Sequence, residues 1–416
     1  MNVLYPRGCG LDVHKDSVSA CVLLFDSGGG RQERRKDFPT HVCGLGRLKA
    51  WLTALRVTHI AMESTGSYWI PIWRALEGSH FHAVLANPAH VKNMPGEKTD
   101  SGDSAWLADL LAHGLIRASF VPPRQVWQWR DLTRLRVKLV QEFNRVHNRI
   151  HKVLEDACIK LDTVASDILG VSGRAMIDGI VAGHEDVTWL ADKAKSHLKK
   201  KYAQLKVVLR GRVTPHHRWM LGELMEELRF VEKRTLLVDQ RICEAMQPHE
   251  DAIRRLCTIP GVGVITAWTL LAELGTDMRV FPDGDHAASW SGLCPGNYRS
   301  AGKRLSNRTR KGNRWLRRAL CQSAWAASRK KDCFLAAYFY RQAARKGERK
   351  AVVATAHKIL VIAYHVMRDG GEYRELGGNY YDQLHPERTR NRLVRRLERM
   401  GLEVQVRPAE QSVQTS

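Results

Sequence analysis

The sequence lacks several features that define common protein classes. Its nine cysteines include no Cys-x-x-Cys pair, so neither a zinc site nor a disulfide framework is indicated, and we expect reduced thiols. The N-terminus has no apolar signal run, and we expect no stretch of membrane-spanning length. No amphipathic helix with a basic face and an apolar back stands out. These absences predict a cytoplasmic protein without a membrane partner.

Acidic residues are also scarce relative to basic ones. The 416 residues include 66 lysines and arginines but 43 aspartates and glutamates, which gives a formal net charge of +23. Such an excess of positive charge is typical of proteins that bind polyanions, of which nucleic acid is the commonest. Hydrophobic residues make up 44%, as in an ordinary globular protein, and the length predicts two or three domains.

Hydrophobic periodicity divides the chain into an alternating part and a helical part. The first ~120 residues begin with a predicted β-hairpin and continue with strand–helix units, which favours an RNase H-like α/β domain over a doubly wound nucleotide-binding domain. Apolar residues over 132–153 and 221–245 recur at steps of three and four. This spacing predicts two coiled-coil helices that pack on each other or on a second subunit.

A glycine-rich hairpin is predicted between two helices around residues 256–267. Gly261 and Gly263 would let the backbone approach a phosphate closely, and the N-terminus of the following helix would present free N–H groups to it. This pattern is typical of the helix-hairpin-helix that binds DNA without sequence preference. The alternative is a packing corner between two helices.

Carboxylates stand at the ends of predicted elements in the alternating part. Asp12 and Glu63 each end a strand, while Asp100 and Asp103 open a helix three residues apart and so share one face. Converging carboxylates repel unless a cation lies between them, and Mg²⁺ prefers hard oxygen ligands. Taken singly, Asp100 could instead be a helix cap, and Glu63 a solvated side chain.

The densest positive charge lies near residue 300. Nine of the twenty residues from Arg299 to Arg318 are lysine or arginine, and none is acidic. Such density is held most readily against phosphates. We therefore expect nucleic-acid contacts from Arg299, Lys303, Arg304, Arg308, Arg310, Lys311 and Arg314.

Four short motifs together resemble a known family. Gly10-Leu11-Asp12-Val13-His14-Lys15, Met62-Glu63-Ser64-Thr65-Gly66-Ser67-Tyr68-Trp69, Asn87-Pro88 and Lys98-Thr99-Asp100-Ser101-Gly102-Asp103-Ser104 are similar to the N-terminal signatures of DEDD insertion-sequence transposases and Piv-type DNA invertases. The resemblance covers about residues 8–120 and 253–370. It implies a RuvC-like fold, with Asp12, Glu63, Asp100 and Asp103 as metal ligands.

The same resemblance extends to Tyr298-Arg299-Ser300-Ala301-Gly302-Lys303. Members of the family place a nucleophilic serine just before a Gly-Lys pair, which implies that role for Ser300; Ala301 departs from the glycine more usual there. From the residues alone, the favoured interpretation of Ser300 is a phosphate-contacting serine in a basic loop. The competing side chains are Tyr298 and three other serines, Ser289, Ser291 and Ser306.

The family resemblance also implies the domain order. The expected parts are a RuvC-like metal-binding domain at 1–122, a helical coiled-coil region at 123–252, a mainly α-helical C-terminal transposase domain at 253–384, and a basic helix and tail at 385–416.

The resulting hypothesis is a DNA transposase or recombinase. It would excise and insert an insertion sequence by strand exchange through a phosphoserine intermediate, with Mg²⁺ as cofactor. By resemblance, a structured guide RNA would pair with target and donor DNA, and the chain would work as a homo-oligomer, a dimer or a tetramer. Two alternatives stay open: a hydrolytic RuvC-like nuclease, and a non-catalytic architectural protein of nucleic acids.

Overall fold

A computed structural model describes residues 2–26, 28, 30–64, 66–92, 102–295, 298–300, 303–306, 309 and 312–407, with the backbone alone at 89, 298–300 and 303–306. The chain divides into two compact units, Met1–Val121 and Pro122–Ser416. Four of the expected site residues fall outside the described residues, namely Asp100, Arg308, Arg310 and Lys311, as does the Ala301-Gly302 pair next to Ser300.

A five-stranded mixed sheet forms the middle of the first unit. The strands are β1 (Arg7–Val13), β2 (Ser17–Phe25), β3 (Arg31–Pro39), β4 (His59–Glu63) and β5 (His82–Ala86). Their order is β3-β2-β1-β4-β5, with antiparallel pairing between β1, β2 and β3 and parallel pairing between β1, β4 and β5. The edge strand β3 is almost wholly polar and exposed, which discourages pairing with another chain.

Four helices accompany this sheet in the described part of the first unit. They are α1 (Val42–Ala54), α2 (Trp69–Leu76), α3 (Pro88–Lys92) and α4 (Asp103–Ala112). In α1 the buried residues Leu45, Leu48 and Leu52 recur at three- and four-residue steps, so one stripe of the helix faces the core. Helix α4 begins two residues later than the predicted start at Ser101.

The second unit is mainly helical. Its elements are α5 (Arg124–Asp156), α6 (Val171–Val181), α7 (Val187–Ala191), α8 (Tyr202–Val208), α9 (Pro215–Met246), α10 (Glu250–Cys257), α11 (Val264–Leu274), α12 (Gly284–Trp290), β6 (Tyr298–Ser300), β7 (Lys303–Ser306), α13 (Arg314–Ser328), α14 (Phe334–Lys346), α15 (Glu348–Asp369), α16 (Tyr380–Leu384) and α17 (Pro386–Glu398).

The two long helices α5 and α9 pack against each other in opposite directions. Trp129 near the start of α5 packs with Ile242 near the end of α9, and Ile150 near the end of α5 packs with Leu221 near the start of α9. Most predicted seam residues are therefore buried within one chain, although Leu135 is 37% exposed. Assembly of several chains through this seam stays a prediction.

Helix α15 differs from the sequence-based expectation about membranes. Among the described residues, it is the one helix that is long and apolar enough to cross a membrane, by length and composition. Half of that apolar window is buried inside the protein, where α15 packs against α12, α13 and α14. Its Tyr364 hydroxyl donates a 3.0 Å hydrogen bond to the Phe281 carbonyl. The apolar composition is thus explained by a central position in the helical unit.

The mixed sheet followed by a mostly helical region confirms the coarse fold prediction. The more specific RNase H-like assignment and the boundaries predicted within 123–416 stay predictions.

Candidate active site and nucleic-acid interface

Asp12 and Glu63 lie at neighbouring strand ends. The parallel strands β1 and β4 are in register from Gly8–His59 to Leu11–Met62. One step further, the same register sets Asp12 beside Glu63, and neighbouring strands are about 4.8 Å apart. Both residues are half-buried. The predicted pairing of these two carboxylates at one sheet edge therefore has a geometric basis.

Gly10 brings helix α4 onto this part of the sheet. A Cβ atom on Gly10 would lie 2.0 Å from the Ser104 carbonyl oxygen and 2.4 Å from the Ala108 nitrogen, so a side chain here would push the helix away. On the same face of β1, a Cβ on Gly8 would touch Leu111 at 3.5 Å. Helix α4 thus runs along β1 with its N-terminus directed toward Asp12.

Asp103 is the first residue of α4, and so lies on the face of the sheet to which Asp12 belongs. Three of the four predicted metal ligands are thereby brought to one region of the first unit. Gly102 is the N-cap of α4. The shared face of Asp100 and Asp103 stays a prediction, because Asp100 is outside the described residues.

His14 is a neighbour that the sequence analysis did not assign. Its Nε2 lies 3.2 Å from Oδ2 of Asp12, and its side chain is 60% exposed. The signal was present, because His14 follows Asp12 by two residues within the quoted motif. The carboxylate region therefore has a histidine beside Asp12 among the described residues.

The chemistry of these residues fits a magnesium ion. Asp12, Glu63 and Asp103 offer carboxylate oxygens, the ligands that Mg²⁺ prefers. The Asp12 side chain keeps 30% of its surface accessible and Asp103 is exposed, so water and a phosphate group can reach the donors. A hard divalent cation with open coordination positions suits this arrangement.

A second group of possible donors lies at the end of α5. The ligand atoms of His151, Glu155 and Asp162 lie within 4.8 Å of one another. His151 already contacts Asp162 at 3.3 Å, and Lys160 pairs with Glu155. These contacts account for the cluster as a set of ion pairs at the protein surface.

Ser300 is the last residue of β6 and pairs with Lys303, the first residue of β7. The two strands form an antiparallel hairpin, in which Arg299 is the register partner of Arg304.

The two ends of the segment carrying this hairpin are held together. A β-bridge joins Pro295 to Thr309, and Arg317 Nη1 donates a 2.7 Å hydrogen bond to the Thr309 hydroxyl. A Cβ atom on Gly312 would lie 2.4 Å from the Gly292 nitrogen, so the chain segments meet backbone to backbone. The surrounding helices therefore fix where the hairpin begins and ends.

One competing serine is excluded by its surroundings. Ser291 is fully buried, and its hydroxyl donates a 2.8 Å hydrogen bond to the Ala288 carbonyl. A hydroxyl in this position cannot reach a DNA strand.

A buried ionic network lies beside the hairpin segment. The Glu273 carboxylate is fully buried and accepts two 2.8 Å hydrogen bonds from Arg134, through Nε and Nη2. Arg130 approaches it to 3.4 Å and also donates to the Ala272 carbonyl. Asn313 Nδ2 donates a third hydrogen bond to the carboxylate, at 2.6 Å. The network joins α5, α11 and the residue that precedes α13.

Burial lowers the pKa of Arg130 to about 10, while the negative charge of Glu273 acts in the opposite direction. The carboxylate is thus the group that keeps a buried guanidinium charged. Sequence analysis missed the network because Glu273 is 139 residues from Arg134, and its own helix is otherwise apolar.

An open cleft of about 580 Å³ lies between α5 and the start of α13. Its lining includes Lys138, Arg145, Arg314 and Arg318. The Arg314 guanidinium lies 4.7 Å from the ring centroid of Trp315, which also lines the cleft. Only Arg314 was predicted as a nucleic-acid contact. Glu142 also lines the cleft and pairs with Arg145, so Lys138, Arg314 and Arg318 supply the excess positive charge that suits a phosphate backbone.

The glycine-rich turn between α10 and α11 has the predicted helix–turn–helix order. Gly261 has φ +83°, and a Cβ on it would lie 2.2 Å from the Ser323 carbonyl oxygen on α13. Packing within the protein is therefore sufficient to explain this glycine, as in the packing-corner alternative. Gly263 caps α11, is exposed, and has no atom within 4 Å of the position of a Cβ. A phosphate contact there stays a prediction.

Comparison with known proteins gives matches in both units. A DEDD transposase family of the IS110 type matches residues 9–159. The family described as transposase IS116/IS110/IS902 matches residues 253–339. The first match includes the described carboxylates Asp12, Glu63 and Asp103, and the second includes Ser300.

Relatives extend the similarity along most of the chain. A transposase for insertion sequence element IS1111A from Coxiella burnetii is 24% identical over 381 residues, which cover 88% of this chain and 90% of the relative. An IS110 protein of Streptomyces coelicolor is 27% identical over 67% of this chain and 73% of its own length. The pilin gene-inverting protein of Moraxella bovis is 23% identical over 86% of this chain and 95% of its own.

The two family matches together cover more than half of the 416 residues, and they lie in the two parts of the chain that carry the carboxylates and the serine hairpin. The chain belongs to the IS110 family of DEDD transposases.

Proposed function

We propose that this transposase moves an insertion sequence by DNA strand exchange through a phosphoserine intermediate. The observation that carries the proposal is the arrangement of Asp12, Glu63 and Asp103 around the contact between Gly10 and α4. It supports a site for phosphodiester chemistry in a unit that begins with an antiparallel hairpin and continues with strand–helix units, the order on which the RNase H-like prediction was based. Relatives named for transposition and for gene inversion support the same class of reaction.

The carboxylates would hold the cofactor. Asp12, Glu63 and Asp103, with Asp100, are the residues that would bind Mg²⁺. The bound cation would polarise the scissile phosphate and stabilise charge on the attacking and leaving oxygens. The chain's own contribution is to hold these carboxylates rigidly, because a side chain at Gly10 would displace α4 and Asp103 with it.

Ser300 would supply the nucleophile. Its hydroxyl oxygen would form a bond to the phosphorus while the bond from phosphorus to one sugar oxygen breaks. The serine proton leaves to a base, and the released sugar oxygen takes up a proton. A serine hydroxyl needs help to act as a nucleophile, and the neighbouring Arg299, Lys303 and Arg304 would stabilise the charge that develops on the phosphate. The covalent bond conserves energy for rejoining.

The basic cleft and the hairpin would hold the DNA backbone. Lys138, Arg145, Arg314 and Arg318 line a cleft beside Trp315, and the Glu273 network anchors the helix on which Arg314 and Arg318 lie. Contacts of this kind position a duplex but carry no sequence information. A structured guide RNA that pairs with target and donor DNA would then provide the sequence specificity, which is the part of the proposal that follows from the family resemblance.

Strand exchange requires at least two active sites, so we propose that the chain acts as a dimer or tetramer. Light scattering of the chain with and without RNA measures this directly, and a monomer under both conditions would contradict it.

The hydrolytic alternative deserves a direct test, because a carboxylate–metal site can cleave DNA with water as the nucleophile. Strand exchange predicts a covalent adduct between protein and DNA that depends on both Mg²⁺ and Ser300. Hydrolysis predicts free phosphate ends and no adduct, and a purely architectural protein predicts intact DNA. Denaturing gel analysis of full-length chain with end-labelled DNA distinguishes the three.

A further inference from the structure

A second basic surface lies in the C-terminal part of the second unit, among helices not used above. It is a groove of about 790 Å³ between α17 and the helices α14 and α16. Glu387 is the one acidic residue in its lining. Six arginines line it: Arg341, Arg388, Arg392, Arg395, Arg396 and Arg399. We call this surface the arginine groove.

Five of these arginines share one side of a single helix. Positions 388, 392, 395, 396 and 399 are separated by steps of three and four, so they form one stripe on α17 and its C-cap. Within the described chain, Arg388, Arg395, Arg396 and Arg399 have no carboxylate within 4.0 Å. The stripe therefore carries largely uncompensated positive charge.

The opposite wall of the groove holds the stripe in place. Arg392 pairs with Asp382 of α16 at 3.7 Å. Tyr381 of α16 stacks on Phe334 of α14 with ring centroids 5.6 Å apart, and the Arg341 guanidinium lies 5.0 Å from the Tyr381 centroid. Helix α17 has no buried residues, so burial of its side chains contributes little to the stability of the fold. Its main feature is instead its positive charge. We therefore attribute the composition of this helix to binding of an anion.

We propose that the arginine groove binds the phosphate backbone of a nucleic-acid duplex, as a site separate from the serine hairpin. From Arg388 to Arg399 the helix rises about 16 Å. One strand of a DNA duplex advances 3.4 Å along the duplex axis for each phosphate, so a stripe of this length can contact several phosphates. An isolated phosphate or a mononucleotide would engage only part of it.

The composition of the groove favours a duplex over a single strand. Bases of a single strand bind by stacking on aromatic side chains. Tyr381 and His385 are the ring-bearing residues of the lining, and the Tyr381 ring is already covered by Arg341. Backbone contacts suit the phosphates of either duplex DNA or duplex RNA. This inference rests on the proposed function, in which duplex DNA and a structured RNA are the nucleic acids that the protein binds.

The shape of the surface also favours nucleic acid over an anionic membrane. A membrane-bound amphipathic helix lies on the lipid surface with its apolar side directed into the lipid and its basic side facing outward. Helix α17 has exposed apolar residues opposite the stripe (Leu393, Leu397 and Met400), which departs from the sequence-based expectation that no such helix stands out, but its arginines line a concave groove. A concave basic surface fits the curved backbone of a duplex.

The test uses the full chain and three variants. The groove variant is R388Q/R395Q/R396Q. The control is R374Q/R390Q/R407Q, which removes the same charge from exposed arginines that do not line the groove. The charge-conserving variant is R388K/R395K/R396K. For each, dissociation constants for short duplex DNA and duplex RNA are measured against salt concentration, and circular dichroism checks folding.

For DNA, we expect the groove variant to lose up to about 2.7 from the magnitude of the salt slope, because each phosphate contact contributes about 0.9. The control and the lysine variant should keep the slope of the unmodified chain. A change with DNA alone, or with RNA alone, would identify the duplex that occupies the groove. Equal slopes in the groove variant and the control for both nucleic acids would overturn the proposal.

Binding to lipid vesicles tests the alternative that the arginine groove binds an anionic membrane. Loss of binding to phosphatidylserine vesicles in the groove variant, with unchanged binding to both duplexes, would also overturn the proposal. Failure of the proposed function would look different, since the Ser300 adduct would be absent while the salt slopes still distinguished the groove variant from its control.

Discussion

Asn313 donates a 2.6 Å hydrogen bond from Nδ2 to the buried carboxylate of Glu273, while its Oδ1 accepts hydrogen bonds from the backbone N–H groups of Trp315 and Leu316. One amide thus caps α13 and ties that helix to α11. Because Gly312 precedes Asn313 and packs on Gly292, the same contact fixes the C-terminal end of the segment that carries Ser300. The position of the serine hairpin therefore depends on the carboxylate of Glu273, which is fully buried and not accessible to DNA.

Glu273→Ala should destabilise the chain strongly. It leaves the buried guanidinium of Arg130 and its neighbour Arg134 without a counter-charge, and breaking a buried ion pair in this way costs about 3–5 kcal/mol. Urea unfolding of the full chain measures the loss. Glu244→Ala is the matched control, because its exposed pair with Arg241 should contribute less than about 1 kcal/mol. Equal losses in the two variants would show that the network is not important for stability.

Removal of any metal ligand should stop cleavage while leaving nucleic-acid binding intact. Asp12→Ala, Glu63→Ala, Asp100→Ala and Asp103→Ala each remove a carboxylate with an expected role in holding Mg²⁺, so we expect cleavage to fall below detection. Chelation of divalent ions should do the same to the unmodified chain, and added Mg²⁺ should restore it.

The control for this series is Asp16→Ala, which removes an exposed carboxylate from the turn that follows β1. It should retain cleavage and binding. Full Mg²⁺-dependent activity in Asp12→Ala or Glu63→Ala would remove the metal assignment. Binding to DNA is measured in the same preparations, so that loss of folding is not mistaken for loss of chemistry.

Local sequence patterns were sufficient to predict the carboxylate region. His59–Glu63 is an apolar strand that ends in an acidic residue, and this pattern can be recognised from neighbouring residues alone. The close contact at Gly10 was not predictable in the same way, because it depends on a helix that begins more than 90 residues later. The sequence thus indicated which residues to examine, and the sheet register and the α4 packing explain why they converge.

In the second unit, local sequence patterns were not sufficient to predict the important contacts. Glu273 is the lone charged residue of the helix VITAWTLLAEL, and nothing nearby in sequence indicates its arginine partners. For Gly261 the sequence left both a phosphate contact and a packing corner open, and the backbone of α13 occupies the space beside this glycine. Both residues are determined by long-range packing. Periodicity and motif spacing describe local preference and cannot report such contacts.

Neutralising the basic run after the hairpin should weaken nucleic-acid binding. Arg308, Arg310 and Lys311 are expected phosphate contacts, so replacing all three with glutamine should lower affinity and reduce the salt slope for duplex DNA by up to about 2.7. Binding titrations over a range of salt concentrations give the slope. Replacement of Arg329, Lys330 and Lys331 at the far end of α13 removes the same charge and should alter the slope less. An unchanged slope in the first variant would mean that this run faces solvent.

Ser300→Ala should abolish both attachment of DNA to the protein and strand joining. If Ser300 is the nucleophile, a digested reaction mixture should contain a peptide that carries a nucleotide on this serine, as detected by mass spectrometry. Ser306→Ala is the matched control, since Ser306 belongs to the other strand of the same hairpin and should remain active. Tyr298→Phe tests the competing hydroxyl in the same way and should also form the adduct.

The carboxylate region should be unaffected by Ser300→Ala, because its described ligands lie in the first compact unit and the serine lies in the second. That variant should therefore still bind DNA and Mg²⁺, and only the covalent step should fail. Hydrolysis by a metal-bound water predicts a different pattern: cleavage would persist at a modestly lower rate, and the ends would carry free phosphates. A nucleotide on Tyr298, or on no residue, would remove the serine assignment and leave the metal site in place. Because the covalent step and the metal site respond to different variants, the two halves of the mechanism can be accepted or rejected separately.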